Sequence, residues 1–106
     1  MNKWSAYDDG HSIGKKSAEG SVILFDEEHP VGARITLRRD SRYISVSANI
    51  YGWMDHTRFF MMDEDAQREY KAMKSALNKV LTLITESDAK DIKIWEAISD
   101  FVRRFP

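Results

Sequence analysis

The sequence predicts an α+β domain, in which an antiparallel sheet of four to five strands is followed by two C-terminal helices packed on one face. Two patterns predict this class. Apolar and polar residues alternate between residues 33 and 51, as in half-buried strands, whereas residues 63–86 repeat apolar residues at steps of three and four, as in an amphipathic helix. Because the strands come first and the helices last, we expect the helices to cover one side of the sheet.

The centre of the predicted sheet is a β-hairpin between residues 33 and 50. A two-residue turn at Asp40 and Ser41 would make the apolar residues of the two strands face one another, as the pairs Leu37–Ile44, Ile35–Val46 and Ala33–Ala48. A longer loop is the alternative, because Asp-Ser is less favourable than Asn-Gly in such a turn.

Further strands are predicted on both sides of this hairpin. The apolar run at residues 22–25 is typical of a strand covered on both faces, and residues 26–29 are expected to end it. Residues 52–56 are predicted to form the next connection and residues 57–62 a short returning strand. Residues 1–20 are predicted to be a polar, partly flexible segment in which Trp4 and Tyr7 begin an edge strand.

Two helices complete the predicted fold. The first covers residues 63–86 and has an apolar face formed by Ala66, Tyr70, Met73, Leu77, Val80, Leu81 and Ile84. Asp88 is predicted to cap the second helix, because short polar side chains satisfy free amides at a helix start. The apolar face predicted for this helix consists of Ile92, Trp95, Ile98, Val102 and Phe105.

Composition excludes several classes of function. The 106 residues are predicted to form a single domain, and 16 basic against 17 acidic residues lack the basic excess of a dedicated duplex-DNA binder. The chain has no cysteine, which excludes disulfides, thiol catalysis and thiolate metal sites. No apolar run has the length of a signal peptide core or a membrane span, so we expect a cytoplasmic protein with no membrane partner.

Two stretches carry a resemblance to a known family. Gly-Ala-Arg-Ile-Thr-Leu at residues 32–37 and Ile-Tyr-Gly-Trp-Met-Asp-His-Thr-Arg-Phe-Phe at residues 50–60 resemble a small uncharacterised family of bacterial single-domain proteins. The resemblance covers the middle of the chain and implies no activity for any residue.

The sheet face turned away from the helices is the predicted binding surface. Alternation places arginine and tyrosine side chains there, and Arg58 and Phe60 would join them if the last strand keeps the pattern. With the turn at residues 52–56, the candidate binding residues are Arg34, Arg38, Tyr43, Asn49, Tyr51, Trp53, His56 and Arg58.

This mixture of side chains supports more than one function. Aromatic and arginine side chains are enriched in protein interfaces, so a protein-interaction or self-associating module, such as a homodimer, is the leading hypothesis. Binding of single-stranded nucleic acid on the same face is the alternative, since aromatic rings stack on bases and arginines neutralise phosphates. A plain solvated face with Arg38–Tyr43 packing is the third interpretation.

Enzymatic and cofactor chemistry has weak support in the sequence. His29 and His56 could gather with Glu27 or Asp55 around a metal, but no histidine pair has helical spacing, so we predict no metal site and no cofactor. His56 beside Trp53 and Arg58 is the best candidate for a small-ligand site, although simple packing of this turn is the interpretation we favour. We predict no catalytic residues and a non-enzymatic protein.

Overall fold

The computed structural model describes residues 3–86 and 90–106, and it confirms the predicted α+β class. A five-stranded antiparallel sheet with strand order β1-β2-β3-β4-β5 precedes two helices. The elements are β1 (Ser5–Ala6), a 3-10 turn (Tyr7–Gly10), β2 (Val22–His29), β3 (Ala33–Arg39), β4 (Ile44–Ile50), β5 (Met54–Phe60), α1 (Asp63–Thr85) and α2 (Asp91–Arg104). No helix in the described residues has both the length and the apolar character needed to cross a bilayer.

The core lies between the helices and one face of β3 and β4. The residues that alternate toward the helices are buried, namely Ala33, Ile35 and Leu37 in β3 and Ile44, Val46, Ala48 and Ile50 in β4, as period-two alternation on a half-covered sheet requires. The main core side chains are Ile35, Leu37, Val46, Ala48 and Ile50 from the sheet, Tyr70, Met73, Leu77 and Leu81 from α1, and Ile94, Ile98 and Phe101 from α2. α1 ends one residue before the predicted position, and its buried face is the predicted one.

The loop of the central hairpin is longer than the predicted two-residue turn. The residue pairs that we predicted from that turn are therefore wrong. Leu37 pairs with Val46 and Ile35 with Ala48, because residues 40–43 form the connection. A two-residue turn of the favoured kind needs positive φ angles, which Asp and Ser do not adopt here. The shift is two residues, so every side chain keeps its predicted face.

β2 is longer and less covered than the apolar run indicated. It continues through the acidic residues to His29, with an irregularity in pairing between Ile23 and Phe25. Phe25 is partly exposed, so the prediction of a strand buried on both faces is wrong. Asp26, expected at the end of the strand, is instead buried within it.

β5 begins earlier than predicted, because the connection before it is a tight turn. The Trp53 amide donates to the Ile50 carbonyl at 2.9 Å, and Gly52 has a φ of +83°. Turns of this kind favour glycine at that position, since other residues adopt positive φ at a cost. The strand therefore includes Asp55 and His56, which were predicted to lie in a loop.

The buried face of α2 matches the predicted one at Ile98 and Phe105 but is turned toward Ile94 and Phe101. Ile94, Ile98, Phe101 and Phe105 are buried, whereas Ile92 and Trp95 are exposed. The helix carries apolar residues around more than half of its circumference, so spacing alone does not select the face that meets α1. The predicted Asp88 cap lies outside the described residues; Lys90, in extended conformation, directly precedes α2.

Candidate binding surface on the open face of the sheet

The face of the sheet opposite the helices carries polar, charged and aromatic side chains. Pairing along β2 to β5 places on this open face Asp26, Glu28, Arg34, Thr36, Arg38, Ser45, Ser47, Asn49, Asp55, Thr57 and Phe59. The N-terminal segment, residues 3–21, crosses part of it. The open face is therefore divided into a covered half and an uncovered half.

The covered half is organised around Asp26, a residue that is 1% exposed. Its carboxylate accepts hydrogen bonds from the Arg34 guanidinium at 2.7 and 2.9 Å, from the Ser12 hydroxyl at 2.7 Å and from the Thr36 hydroxyl at 2.9 Å. Burial alone would raise the pKa of Asp26, but the hydrogen bonds from Arg34, Ser12 and Thr36 and the positive charge of Arg34 together hold it below its ordinary value. The carboxylate stays ionised with all its partners supplied by the chain.

Tyr7 completes the covered half by packing over Arg34. The guanidinium carbon lies 3.6 Å from the centre of the Tyr7 ring, which is close cation–π geometry. The Gly14 amide donates to the Ile23 carbonyl at 2.8 Å and thereby holds the N-terminal segment against β2. Tyr51, 53% exposed, lies beside these groups; burial and the neighbouring Tyr7 raise its pKa.

The uncovered half presents aromatic and apolar side chains to solvent. The rings of Tyr43 and Phe59 are 5.2 Å apart and nearly perpendicular, and they are 40% and 65% exposed. Met61, 81% exposed, lines a hollow of 200 Å³ together with Tyr43. We call Tyr43, Phe59 and Met61 the aromatic patch.

Arg38 is the arginine that the open face leaves available. It borders the hollow of 160 Å³ that Asn49 and Asp55 line, and the one of 350 Å³ beside Tyr43 and Phe59. Among the described residues it forms no hydrogen bond or ion pair, in contrast to Arg34. Beside it the Ser47 and Thr57 hydroxyls are 2.9 Å apart. The uncovered half therefore has an apolar centre and a polar margin.

His56, Arg58 and Phe60 lie on the helix side of the sheet, so the placement of Arg58 and Phe60 on the open face is wrong. His56 and Arg58 pair with the core residues Ala48 and Val46. The His56 Nε2–H donates to the Phe105 carbonyl. The Arg58 guanidinium donates to Glu69 at 2.8 Å and to the main-chain oxygen of Pro106 at 3.1 Å. These partners explain how an arginine is accommodated beside the core.

Trp53 also lies away from the open face. Its ring packs on that of Trp95 in α2, with centroids 4.9 Å apart. Five of the predicted binding residues thus belong to the open face or its end, namely Arg34, Arg38, Tyr43, Asn49 and Tyr51. The other three, Trp53, His56 and Arg58, connect the sheet to the helices.

Sequence reasoning missed Asp26, Tyr7 and Phe59 as members of this surface. A carboxylate directly after an apolar run was a usable signal for Asp26, because a strand that continues through it would place it opposite Thr36. A three-residue connection at Gly52 would have assigned Phe59 to the open face. No signal in the sequence indicated that Tyr7 packs on Arg34.

The histidines do not gather into a metal site in the described part of the chain. His29 and His56 lie on strands separated by two others, so at least about 14 Å separates their backbones. No group of three potential ligands from His, Asp and Glu converges within residues 3–86 and 90–106.

Comparison with known proteins gives no relative for this chain. No protein family, curated protein or solved structure matches it. The resemblance of its central stretches to a bacterial family therefore stays a prediction, and function must be argued from the surface itself.

Proposed function

We propose that this protein is a non-enzymatic interaction domain that associates with a second copy of itself through the uncovered half of the open face. The observation that carries the proposal is the aromatic patch, in which Tyr43, Phe59 and Met61 are exposed side by side. Large apolar side chains that cluster on a surface mark interaction sites far more often than scattered ones do.

The composition and rigidity of the patch support this function. Tyr, Phe and Met are enriched at the centres of protein interfaces, and polar side chains such as Arg38, Ser47 and Thr57 surround such centres. Tyr43 directly precedes β4 and Phe59 lies within β5, so their positions are fixed by the sheet. Preorganised contacts reduce the entropy lost on association.

Binding of single-stranded nucleic acid on the same face has less support. Arg34 is neutralised by Asp26, so its charge is not available for a phosphate. Glu28 and Asp55 lie on the same face and oppose a polyanion. Arg38 with Tyr43 and Phe59 remains as the feature that favours this alternative.

Light scattering over a range of protein concentrations tests the proposal, with and without a mixed-sequence single-stranded oligonucleotide at low salt. We expect a mass that rises to that of a dimer and does not respond to the oligonucleotide. A monomer at every concentration would contradict self-association. A complex that gains the mass of the oligonucleotide and loses it as salt rises would favour the nucleic-acid alternative.

A further inference from the structure

We infer that residues 7–15 form a strap that opens as a unit while the rest of the fold stays intact, and that its opening exposes the covered half of the open face. The strap is the part of the N-terminal segment between β1 and Lys16. Its opening concerns the covered half, which self-association through the uncovered half does not use.

Both ends of the strap are anchored to the fold. Before it, Trp4 is 7% exposed in the core, and its indole N–H donates to the Asn78 side-chain oxygen at 2.9 Å. β1 then pairs with β2. After the strap, Lys16 pairs with Val22 at the start of β2. A strap that opens therefore stays attached at both ends and can close again, as mobile loops over binding surfaces do.

Little apolar surface holds the strap between these anchors. Within residues 7–15, Ser12 alone is buried, and Ile13 is 46% exposed. Segments that bury few apolar contacts open locally at a lower cost than global unfolding. Polar and backbone contacts hold the strap to the sheet, namely the Tyr7 ring on Arg34, the hydrogen bond from Ser12 to Asp26 and the one from the Gly14 amide to the Ile23 carbonyl.

The backbone of the strap also favours opening. Asp8 and Asp9 have φ angles of +51° and +53°, and Gly10 has one of +84°. The left-handed conformation costs free energy in residues other than glycine and persists where surrounding contacts hold it. Tyr7 and Ser12 lie on either side of the two aspartates. Loss of the contacts of Tyr7 and Ser12 would therefore let both aspartates relax, which offsets part of the cost of opening.

Opening exposes the polar centre of the covered half. Asp26 and Thr36, joined by a hydrogen bond, are 1% and 8% exposed. Ser12 occupies one oxygen of the Asp26 carboxylate, and Tyr7 covers one side of Arg34. Both groups become accessible when the strap lifts. The closed strap thus limits the open face to its uncovered half, and the open strap extends it across β2 and β3.

Thiol labelling tests this opening, because the chain has no cysteine of its own. Thr36→Cys places a thiol beside Asp26, and Ala48→Cys, at a position that is 0% exposed in the core, is the matched control. We expect the Thr36→Cys thiol to react at least about tenfold faster than the Ala48→Cys thiol in the folded protein. Mild denaturant should change the faster rate little, since local opening exposes little surface.

Two further changes in the Thr36→Cys chain show whether the strap controls this rate. Ser12→Ala removes the hydrogen bond to Asp26 and should raise the labelling rate about fivefold. Ile13→Ala alters an exposed side chain of the same strap and should leave the rate within about twofold. A labelling rate that Ser12→Ala does not change, or one equal to that of the Ala48→Cys thiol, would overturn the inferred opening.

Hydrogen exchange of the wild type measures the same opening without any substitution. The Gly14 amide, bonded to the Ile23 carbonyl at 2.8 Å, should exchange at least about tenfold faster than the amides of β4 and with a weaker dependence on denaturant. Exchange of Gly14 at the rate of β4, with the same denaturant dependence, would mean that the strap opens only when the whole chain unfolds. Self-association is measured separately, so either result leaves it untouched.

Discussion

The two halves of the open face combine the same residue types and use them differently. On the covered half, Arg34 binds a buried carboxylate and packs under Tyr7. On the uncovered half, Arg38 lacks such a partner, and Tyr43 and Phe59 remain exposed. An arginine next to aromatic side chains is therefore not a binding site in itself. An arginine on this face stays available to a ligand only where the chain itself does not supply its partner. Asp26 and the N-terminal segment supply partners for Arg34 on the covered half and none for Arg38 on the uncovered half.

Asp26→Asn should have the largest effect on stability. It removes the buried negative charge that Arg34 neutralises and leaves the partly exposed Arg34 guanidinium without its anion, so we expect a loss of about 2 to 3 kcal/mol. Asp55→Asn, on the uncovered half, is the matched control and should change the free energy of unfolding by less than about 0.5 kcal/mol. Denaturant unfolding measures both. Equal effects of the two changes would show that the halves do not differ.

The pH dependence of stability should also distinguish the halves. Because the pKa of Asp26 is lowered in the folded state, its contribution is complete above its ordinary pKa of 3.8 and is lost as pH falls through the folded value. The stability difference between the wild type and Asp26→Asn should therefore be constant near neutrality and shrink below about pH 4. Unfolding curves at a series of pH values test this. A difference that grows toward acid would contradict the sign of the pKa shift.

Tyr7→Leu should destabilise the fold less than Asp26→Asn does. It keeps an apolar side chain over Arg34 but removes the ring, so we expect a loss of about 0.5 to 1 kcal/mol. If Tyr7 stabilises the fold by packing on Arg34, and Asp26 holds Arg34 in place, then Tyr7→Leu should have no effect in a chain that already carries Asp26→Asn. A double-mutant cycle of the four proteins measures this coupling. Fully additive effects would mean that Tyr7 contributes independently of the ion pair.

The sequence predicted the layers of the fold better than its connections. Alternation in β3 and β4 predicted which residues face the helices. The predicted register was wrong by two residues, but a shift of two leaves each side chain on the same face of the sheet. The first residue of β5 was harder to predict, because polar residues such as Asp55 and His56 occur both in edge strands and in loops. The face of α2 depended on which side meets α1, which is set by tertiary packing.

The sequence allowed us to predict which face of the sheet is open, but not which side chains on that face are available for binding. Arg34 and Arg38 occupy equivalent positions on one strand, so local sequence gives no reason to treat them differently. The difference arises because β2 brings Asp26 beside Arg34, and the N-terminal segment adds Ser12 and Tyr7. Contacts between segments distant in sequence are not visible in a residue pattern.

The most direct test of the central claim compares Phe59→Ala with Tyr51→Ala in sedimentation velocity. Both side chains are exposed aromatics on the open face, one on the uncovered half and one beside the covered half. We predict that Phe59→Ala raises the dissociation constant of the dimer by about tenfold or more, as for a residue at an interface centre, while Tyr51→Ala leaves it within about twofold. Equal effects of the two substitutions, or a stronger effect of Tyr51→Ala, would contradict the assignment of association to the uncovered half.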